Sequence, residues 1–146
     1  MNVVLTGATG FLGKRLSATL AAKSDVNITA VVRRHVDVPA SHVAVVTSID
    51  SNTDWSIALI NQQVVIHAAA RAHVMKDEEN DPLAEYRRVN VDGTLNLARQ
   101  AAAVGVNRFI FISSIKVNGE QTPAVVKALS NTTLCEASRS RFGVTA

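Results

Sequence analysis

Several residue types are scarce in this 146-residue chain, and each scarcity excludes a class of protein. A single cysteine, Cys135, excludes an internal disulfide framework and is typical of a reducing compartment, so we expect a cytoplasmic location. No apolar run is long enough to cross a bilayer, and the N-terminus enters a strand at once, which leaves no room for a signal peptide. The formal net charge is +3, with no basic run interleaved with aromatic residues, so we expect neither nucleic-acid nor membrane binding.

Aromatic residues are also few. They make up 4% of the chain, although 47% of all its residues are hydrophobic. The core must therefore be filled by valine, isoleucine, leucine and alanine, which is typical of a parallel sheet covered by helices on both faces. The chain is long enough for one domain with a substantial core.

The hydrophobic pattern predicts strands that alternate with helices. Continuous apolar runs indicate buried strands, and leucines four residues apart from Leu12 to Leu20 indicate one face of the first helix. Asp81 followed by Pro82 predicts the start of a long helix, which Gly105 ends. This order predicts an α/β fold, a doubly wound parallel sheet of the Rossmann type. The predicted strands are 2–6, 26–33, 42–47, 63–68 and 107–113, and the predicted helices are 11–23, 54–60 and 82–104.

Three glycines follow the first strand at a spacing of three residues: Gly7, Gly10 and Gly13. They predict a tight turn into the first helix, where backbone N–H groups can approach a pyrophosphate with no Cβ in the way. The alternative is a strand-to-helix turn that packs closely and binds nothing. A position directly after a strand at the N-terminus favours a dinucleotide site.

Four segments of the chain, in order, resemble the extended short-chain dehydrogenase/reductase superfamily, and more narrowly its bacterial nucleotide-sugar epimerase/dehydratase family. They are TGATGFLG (6–13), VIHAAA (65–70), VNVDGTLNLARQAAAVGV (89–106) and RFIFISSIKVNGE (108–120). The resemblance implies an NAD(P)-binding Rossmann domain over residues 1–120. For the intact family it implies hydride transfer at a carbon of a nucleotide-sugar substrate. It also implies a homodimer built on the long helix, with burial of that helix in a single chain as the alternative.

The resemblance also implies which residues contact the cofactor. It directs the backbone N–H groups of Phe11 and Leu12 toward the pyrophosphate. Arg33 and Arg34 stand where an acidic residue would accept from a free ribose 2′-OH, so we expect NADP rather than NAD because a guanidinium suits a 2′-phosphate. The alternative is a solvated strand end. The expected cofactor contacts are Gly7, Thr9, Gly10, Phe11, Leu12, Gly13, Arg33, Arg34, Ser48, Ile49, Ala68, Ala69, Ala70, Asn90 and Ser113.

The adenine end and the nicotinamide end of this expected site depend on different segments. Ser48 stands where family members often place an acidic residue that holds the adenine amine, and Asp50 takes this place if the alignment shifts by two positions. The small residues Ala68, Ala69 and Ala70 let the backbone pass under the nicotinamide-side ribose.

Two polar residues near the sheet receive structural interpretations. The resemblance assigns Asn90 to support of the active-site backbone, and it assigns Gly93, on the same helix face, to close helix packing. A lone His67 within a strand is more typical of a core histidine than of a catalyst.

The proton-transfer groups of the superfamily are a Ser or Thr, a Tyr and a Lys that act together. The resemblance assigns the serine role to Ser114, and no metal site is expected. The tyrosine and lysine belong to a Tyr-x-x-x-Lys motif further along the chain, on one helix face. The single tyrosine here, Tyr86, precedes Ser114, and residues 141–146 read Arg-Phe-Gly-Val-Thr-Ala. We therefore expect this chain to be inactive alone.

Residues 121–146 lose the alternating pattern, so we interpret them as an irregular tail of a C-terminally truncated Rossmann domain, with a frameshift as one explanation. Three hypotheses stay open. The chain derives from NAD(P)-dependent epimerases, dehydratases or reductases; it is a non-catalytic NADP(H)-binding or sensor module; or it is a fragment too incomplete to fold, because the edge of its fifth strand lies uncovered.

Overall fold

The structure is a computed structural model in which residues 1–71 and 81–113 are described. Five parallel strands form one sheet in the order β3-β2-β1-β4-β5. Each strand lies within a segment that the sequence predicts as a strand, and the predicted doubly wound parallel fold is confirmed. The strands are β1 (Asn2–Thr6), β2 (Asn27–Val32), β3 (His42–Val45), β4 (Val64–His67) and β5 (Arg108–Phe111).

The two faces of the sheet carry separate cores, because successive side chains of a strand point to opposite sides. Val4 and Val65 pack on one face against Trp55 and Leu97, which come from the helical side. Leu5 and its neighbours on the other strands pack on the opposite face against the first helix. The apolar runs of β1, β2 and β4 are buried on both sides, as central parallel strands require.

The helices are α1 (Phe11–Ala21), α2 (Ser56–Leu59), α3 (Pro82–Arg87) and α4 (Thr94–Ala103), with a π-helical turn (Arg88–Gly93) between α3 and α4. The predicted long helix is therefore present, but the π turn inside it is not predicted. Asp81 caps α3 as predicted, since its Oδ1 accepts from the N–H of Ala84 at 3.0 Å. Gly105 follows α4 with a φ of +81°, the left-handed conformation expected at a helix end.

The buried face of α1 differs from the predicted one. Leu12 is 44% exposed, while Gly13 and Ser17 are the buried residues of this helix. The reason is steric: the first turn of α1 approaches the β1 loop so closely that only a residue without a side chain fits there. The helix therefore turns Gly13 inward, and Leu16 and Leu20 pack at the margin of the core.

Candidate functional site

The topology of the sheet places the candidate site at one edge. β1 lies in the middle, with β2 on one side and β4 on the other, so the chain direction across the sheet reverses between β1 and β4. Ligands of open α/β sheets bind at such a reversal, beyond the carboxyl ends of the strands. The predicted residues Gly7, Arg33, Ala68 and Ser113 follow β1, β2, β4 and β5, so they lie along this edge.

The three glycines form a turn in which backbone segments touch. Gly7 has a φ of +72°, and a Cβ on it would lie 2.7 Å from the carbonyl carbon of Ala68 and the nitrogen of Ala69. The N–H of Gly10 donates to the carbonyl oxygen of Gly7 at 2.9 Å. A Cβ on Gly13 would lie 1.9 Å from that same oxygen. The turn therefore brings the loop after β1 against both the start of α1 and the end of β4.

The start of α1 has no side-chain cap within the described residues. Gly10 occupies the N-cap position with a φ of −73° and a ψ of 171°, and the first turn holds no acidic residue. The first N–H groups of an α-helix have no acceptor within the helix, so those of Phe11 and Leu12 are available to a ligand. The helix dipole adds positive potential at this point, and an anion such as a diphosphate suits it.

The backbone beyond β4 is held by Asn90 in the π turn. The Oδ1 of Asn90 accepts from the N–H of Arg71 at 2.7 Å, and its Nδ2 donates to the carbonyl oxygen of Arg71 at 2.9 Å. Gly93 lies in the same π turn against the loop after β3, where its Cβ would be 2.5 Å from the Cγ2 of Ile49. Close packing at Gly93 was expected, and the structure confirms it.

His67 is buried at the carboxyl end of β4, with 1% of its surface exposed. Its Nδ1 lies 2.7 Å from the Oγ1 of Thr6, and its Nε2 lies 3.0 Å from the Oγ1 of Thr94. Burial lowers the pKa of His67 to about 4, so the ring is neutral at neutral pH. It is a core histidine, as predicted.

Arg33 and Arg34 directly follow β2, and both are exposed. Within residues 1–71 and 81–113, neither guanidinium takes part in an ion pair or a side-chain hydrogen bond. Both cations are therefore free to meet an anionic group at the carboxyl edge of β2. The exposed Thr9 lies in the glycine turn on the neighbouring strand β1.

The loop after β3 holds the two alternatives for the adenine contact. The carboxylate of Asp50 accepts from the N–H of Asn52 at 2.9 Å, and its Oδ2 lies 2.9 Å from a guanidinium nitrogen of Arg88. These contacts, the hydrogen bond from Asn52 foremost, hold the pKa of Asp50 below its ordinary value despite partial burial. Ser48 is exposed, and its carbonyl oxygen accepts from Thr53 at 3.1 Å.

Sequence reasoning missed an ion-pair cluster beside this loop. Arg88 donates two hydrogen bonds to Glu85, at 2.7 and 2.6 Å, and also pairs with Asp50. Arg71 lies 3.8 Å from the carboxylate of Glu85 and 5.7 Å from the ring centre of Tyr86. The spacing of three residues between Glu85 and Arg88 was the available signal. The cluster links the end of β4, the adenine-side loop and α3.

Not every predicted site residue is brought into contact with the others. Ser113 is exposed, two residues beyond the end of β5. Ser114 and the tail 121–146 lie outside the described residues. Among the residues that are described, no group of three metal-ligating side chains occurs, and no helix is long and apolar enough to cross a membrane.

Comparison with known proteins places this site in a family. The sequence profile of the NAD dependent epimerase/dehydratase family matches residues 3–145. The chain belongs to this family. The resemblance drawn from the four sequence segments is therefore confirmed.

Two curated relatives are bacterial epimerases. The chain is 51% identical over 121 residues to UDP-glucose 4-epimerase from Vibrio cholerae, a match that covers 83% of this chain and 37% of that protein. It is 34% identical over 122 residues to N-acetyl-alpha-D-glucosaminyl-diphospho-ditrans,octacis-undecaprenol 4-epimerase from Escherichia coli O157:H7, covering 81% and 34%. The chain thus spans little more than a third of the length of these relatives.

Solved structures show the same fold. UDP-glucuronic acid 4-epimerase from Bacillus cereus, in complex with UDP-glucuronic acid and NAD, superposes with a TM-score of 0.72 at 25% identity, over 99% of this chain and 54% of that one. MoeE5 in complex with UDP-glucuronic acid and NAD gives a TM-score of 0.66 at 31% identity, over 84% and 40%. Both complexes contain NAD.

Proposed function

We propose that this chain is the NAD(P)-binding part of a nucleotide-sugar epimerase, dehydratase or reductase, and that its glycine turn binds the cofactor diphosphate. The close approach of Gly13 to Gly7 carries this proposal, because the Cβ position of Gly13 lies 1.9 Å from the Gly7 oxygen. Such a turn leaves the uncapped N-terminus of α1 accessible to an anion. When bound, the cofactor supplies the hydride acceptor and donor.

The other cofactor contacts follow from the same edge of the sheet. We assign the adenine amine to Ser48, with Ile49 beside it, because both oxygens of the Asp50 carboxylate are engaged within its own loop and with Arg88. Ala68, Ala69 and Ala70 leave room for the ribose and phosphates beyond β4. Asn90 acts from below, by holding the backbone of Arg71.

At the adenosine ribose we propose a preference for NADP over NAD. Arg33 and Arg34 are exposed at the end of β2, in the position where a 2′-phosphate would lie. A guanidinium donates two parallel hydrogen bonds to a phosphate and so adds both charge and geometry. The NAD in the solved relatives is said of those proteins alone, and the pair of arginines supports the different choice here.

We further propose that the substrate class is a nucleotide sugar, as the names of the relatives suggest, and that the 146 residues alone perform no turnover. The lone tyrosine, Tyr86, packs against Arg71 in α3, where it is half-buried. It precedes Ser114, so Ser114 has no phenol after it in the order that the superfamily motif requires. Binding without turnover is also what a sensor module would do, and this is the second candidate function.

Two remaining features support an assembly and a location. Leu83, Val91 and Leu95 are 60%, 49% and 43% exposed along the helical segment 82–103, and a second copy of the chain would cover them in a homodimer. The single cysteine of the sequence supports a cytoplasmic location.

Titration of the 146-residue chain with NADPH and NADH, followed by coenzyme fluorescence, tests the main proposal. Gly10→Asp places a carboxylate at the N-cap of α1, beside the proposed diphosphate, and we expect it to abolish binding. Asn107→Asp adds the same charge at the opposite edge of the sheet, at an exposed position, and should leave the affinity unchanged. Equal binding by wild type and Gly10→Asp would refute the proposed site.

A further inference from the structure

The hydrogen bonds around His67 have a single consistent direction. The hydroxyl of Thr94 donates to the carbonyl oxygen of Asn90 at 2.9 Å. A hydroxyl has one hydrogen, so Thr94 must accept from His67, and the Nε2 of the ring therefore carries the proton. The Nδ1 of a neutral ring then accepts from the hydroxyl of Thr6. Thr6 in turn accepts from the N–H of Ala69 at 3.2 Å.

This chain of hydrogen bonds joins the elements that meet at the candidate site. It begins at the Ala69 backbone, passes through the last residue of β1 and the last residue of β4, and ends at Asn90 in the π turn. The side chain of Asn90 then holds the backbone of Arg71. Both ends of the segment 69–71 are thereby fixed from below.

The ring of His67 is itself held in place by β5. Its centre lies 6.2 Å from that of Phe109 and 5.9 Å from that of Phe111, which stacks on it at an interplanar angle of 24°. The ring thus cannot tilt away from either threonine without displacing an aromatic neighbour. Ala68 and Ala69, directly after it, form the surface that Gly7 contacts.

We propose that His67, as the neutral Nε2-protonated tautomer, is a positioning residue that fixes the backbone 69–71 against the glycine turn. It touches no cofactor atom and transfers no proton to substrate; it acts through Thr6, Thr94 and Asn90. The proposal rests on the proposed function where it concerns coenzyme affinity, but the tautomer and the order of the backbone are properties of the chain by itself.

Thr94→Val is the sharpest variant, because valine keeps the shape of threonine and removes only the hydroxyl between His67 and Asn90. His67→Phe removes both ring hydrogen bonds, and His67→Asn restores an acceptor near Thr6 and should recover part of the effect. Thr19→Val is the matched control, since Thr19 is exposed on α1. Thermal unfolding of each variant shows whether it is folded at the temperature of the assay.

Three measurements on the 146-residue chain test the proposal. Nitrogen-15 NMR of the histidine rings should show an Nε2–H tautomer for His67 in the wild type. In Thr94→Val, hydrogen exchange at the amides of Ala69 and Arg71 should accelerate by at least about tenfold. The Kd for the coenzyme should rise by at least about tenfold, against less than about twofold for Thr19→Val.

The outcomes separate the two proposals. An Nδ1–H or charged ring in the wild type, or unchanged amide exchange in Thr94→Val, overturns the positioning role. Wild-type binding of the coenzyme that Thr94→Val and His67→Phe retain in full also overturns it, while the proposed function stands. If the wild type binds neither NADPH nor NADH, the proposed function is wrong, and the tautomer and exchange measurements still decide how His67 orders this edge.

Discussion

Asn90 and Arg71 form a reciprocal pair in which one amide side chain meets both polar groups of one backbone residue. The two distances are 2.7 Å for the bond that Asn90 accepts and 2.9 Å for the bond that it donates. An asparagine in the π turn thus does for the end of β4 what a neighbouring strand does within the sheet. The pair is the structural form of the support that the resemblance assigned to Asn90.

Replacing Asn90 by leucine should therefore destabilise the fold and weaken coenzyme binding. The N–H and carbonyl of Arg71 would lose their partners, and a net loss of about 1–3 kcal/mol in the free energy of unfolding is expected. Urea denaturation measures it. Asn107→Leu, at an exposed position before β5, is the control and should change the free energy of unfolding far less. An Asn90→Leu protein as stable as that control would contradict the role of the pair.

The glycine turn gives a prediction about shape alone. Gly13→Ala places a methyl group 1.9 Å from the Gly7 oxygen, so either the turn opens or α1 moves outward. We expect coenzyme binding to be lost and the free energy of unfolding to fall by more than about 3 kcal/mol. Gly105→Ala meets no atom within 4 Å and carries only the strain of a φ of +81°, about 1 kcal/mol. Equal effects of the two substitutions, by calorimetry and titration, would count against the close approach.

His67 should make stability depend on pH in the mildly acidic range. Its pKa falls from 6.5 to about 4 on folding because burial disfavours the charged ring. Between these values the unfolded chain binds a proton that the folded chain does not, so stability is complete above about pH 6.5 and is lost as the pH falls toward about 4. The total contribution is about 3 kcal/mol.

The comparison of wild type with His67→Phe isolates this effect, because the carboxylates common to both proteins cancel. The difference in the free energy of unfolding should shrink by up to about 3 kcal/mol as the pH falls from about 6.5 to 4. Urea denaturation at several pH values gives this difference. A difference that stays constant across the range would mean that the ring is not buried as a neutral group.

The arginines after β2 predict cofactor choice. Arg33→Ala and Arg34→Ala should each weaken NADPH binding, by about tenfold at the residue that contacts the 2′-phosphate, and should leave NADH binding nearly unchanged. Lys23→Ala is a control, since Lys23 is an exposed cation after α1. Tighter binding of NADH than of NADPH by the wild type would refute the proposed NADP preference.

The sheet could be predicted from the sequence because its signals are local. β1 and β4 are runs of β-branched and apolar residues that only a strand buried on both faces explains. Asp81 and Pro82 define a helix start through a hydrogen bond and a missing N–H that both lie within four residues. The spaced glycines likewise indicated a close approach before any coordinates were available.

The contacts that complete the site could not be predicted, because they join residues far apart in the chain. Thr6 and His67 are 61 residues apart, and only the register of β1 beside β4 makes them neighbours. The exposure of Leu12 follows from the closeness of α1 to the loop, which the periodicity of leucines does not reveal. The burial of Trp55 at 0% exposure also had no local signal in a chain with few aromatic residues.

The π turn at Arg88–Gly93 adds one residue to what would otherwise be an uninterrupted α-helix. Each residue of an α-helix advances the chain by about 100° around the axis. Deleting a single residue from this turn would therefore swing α3 about a quarter of a revolution relative to α4. The ion pairs of Arg88 and the grip of Asn90 could then no longer point at the sheet together, so the length of this segment, and not its composition alone, sets the geometry of the edge.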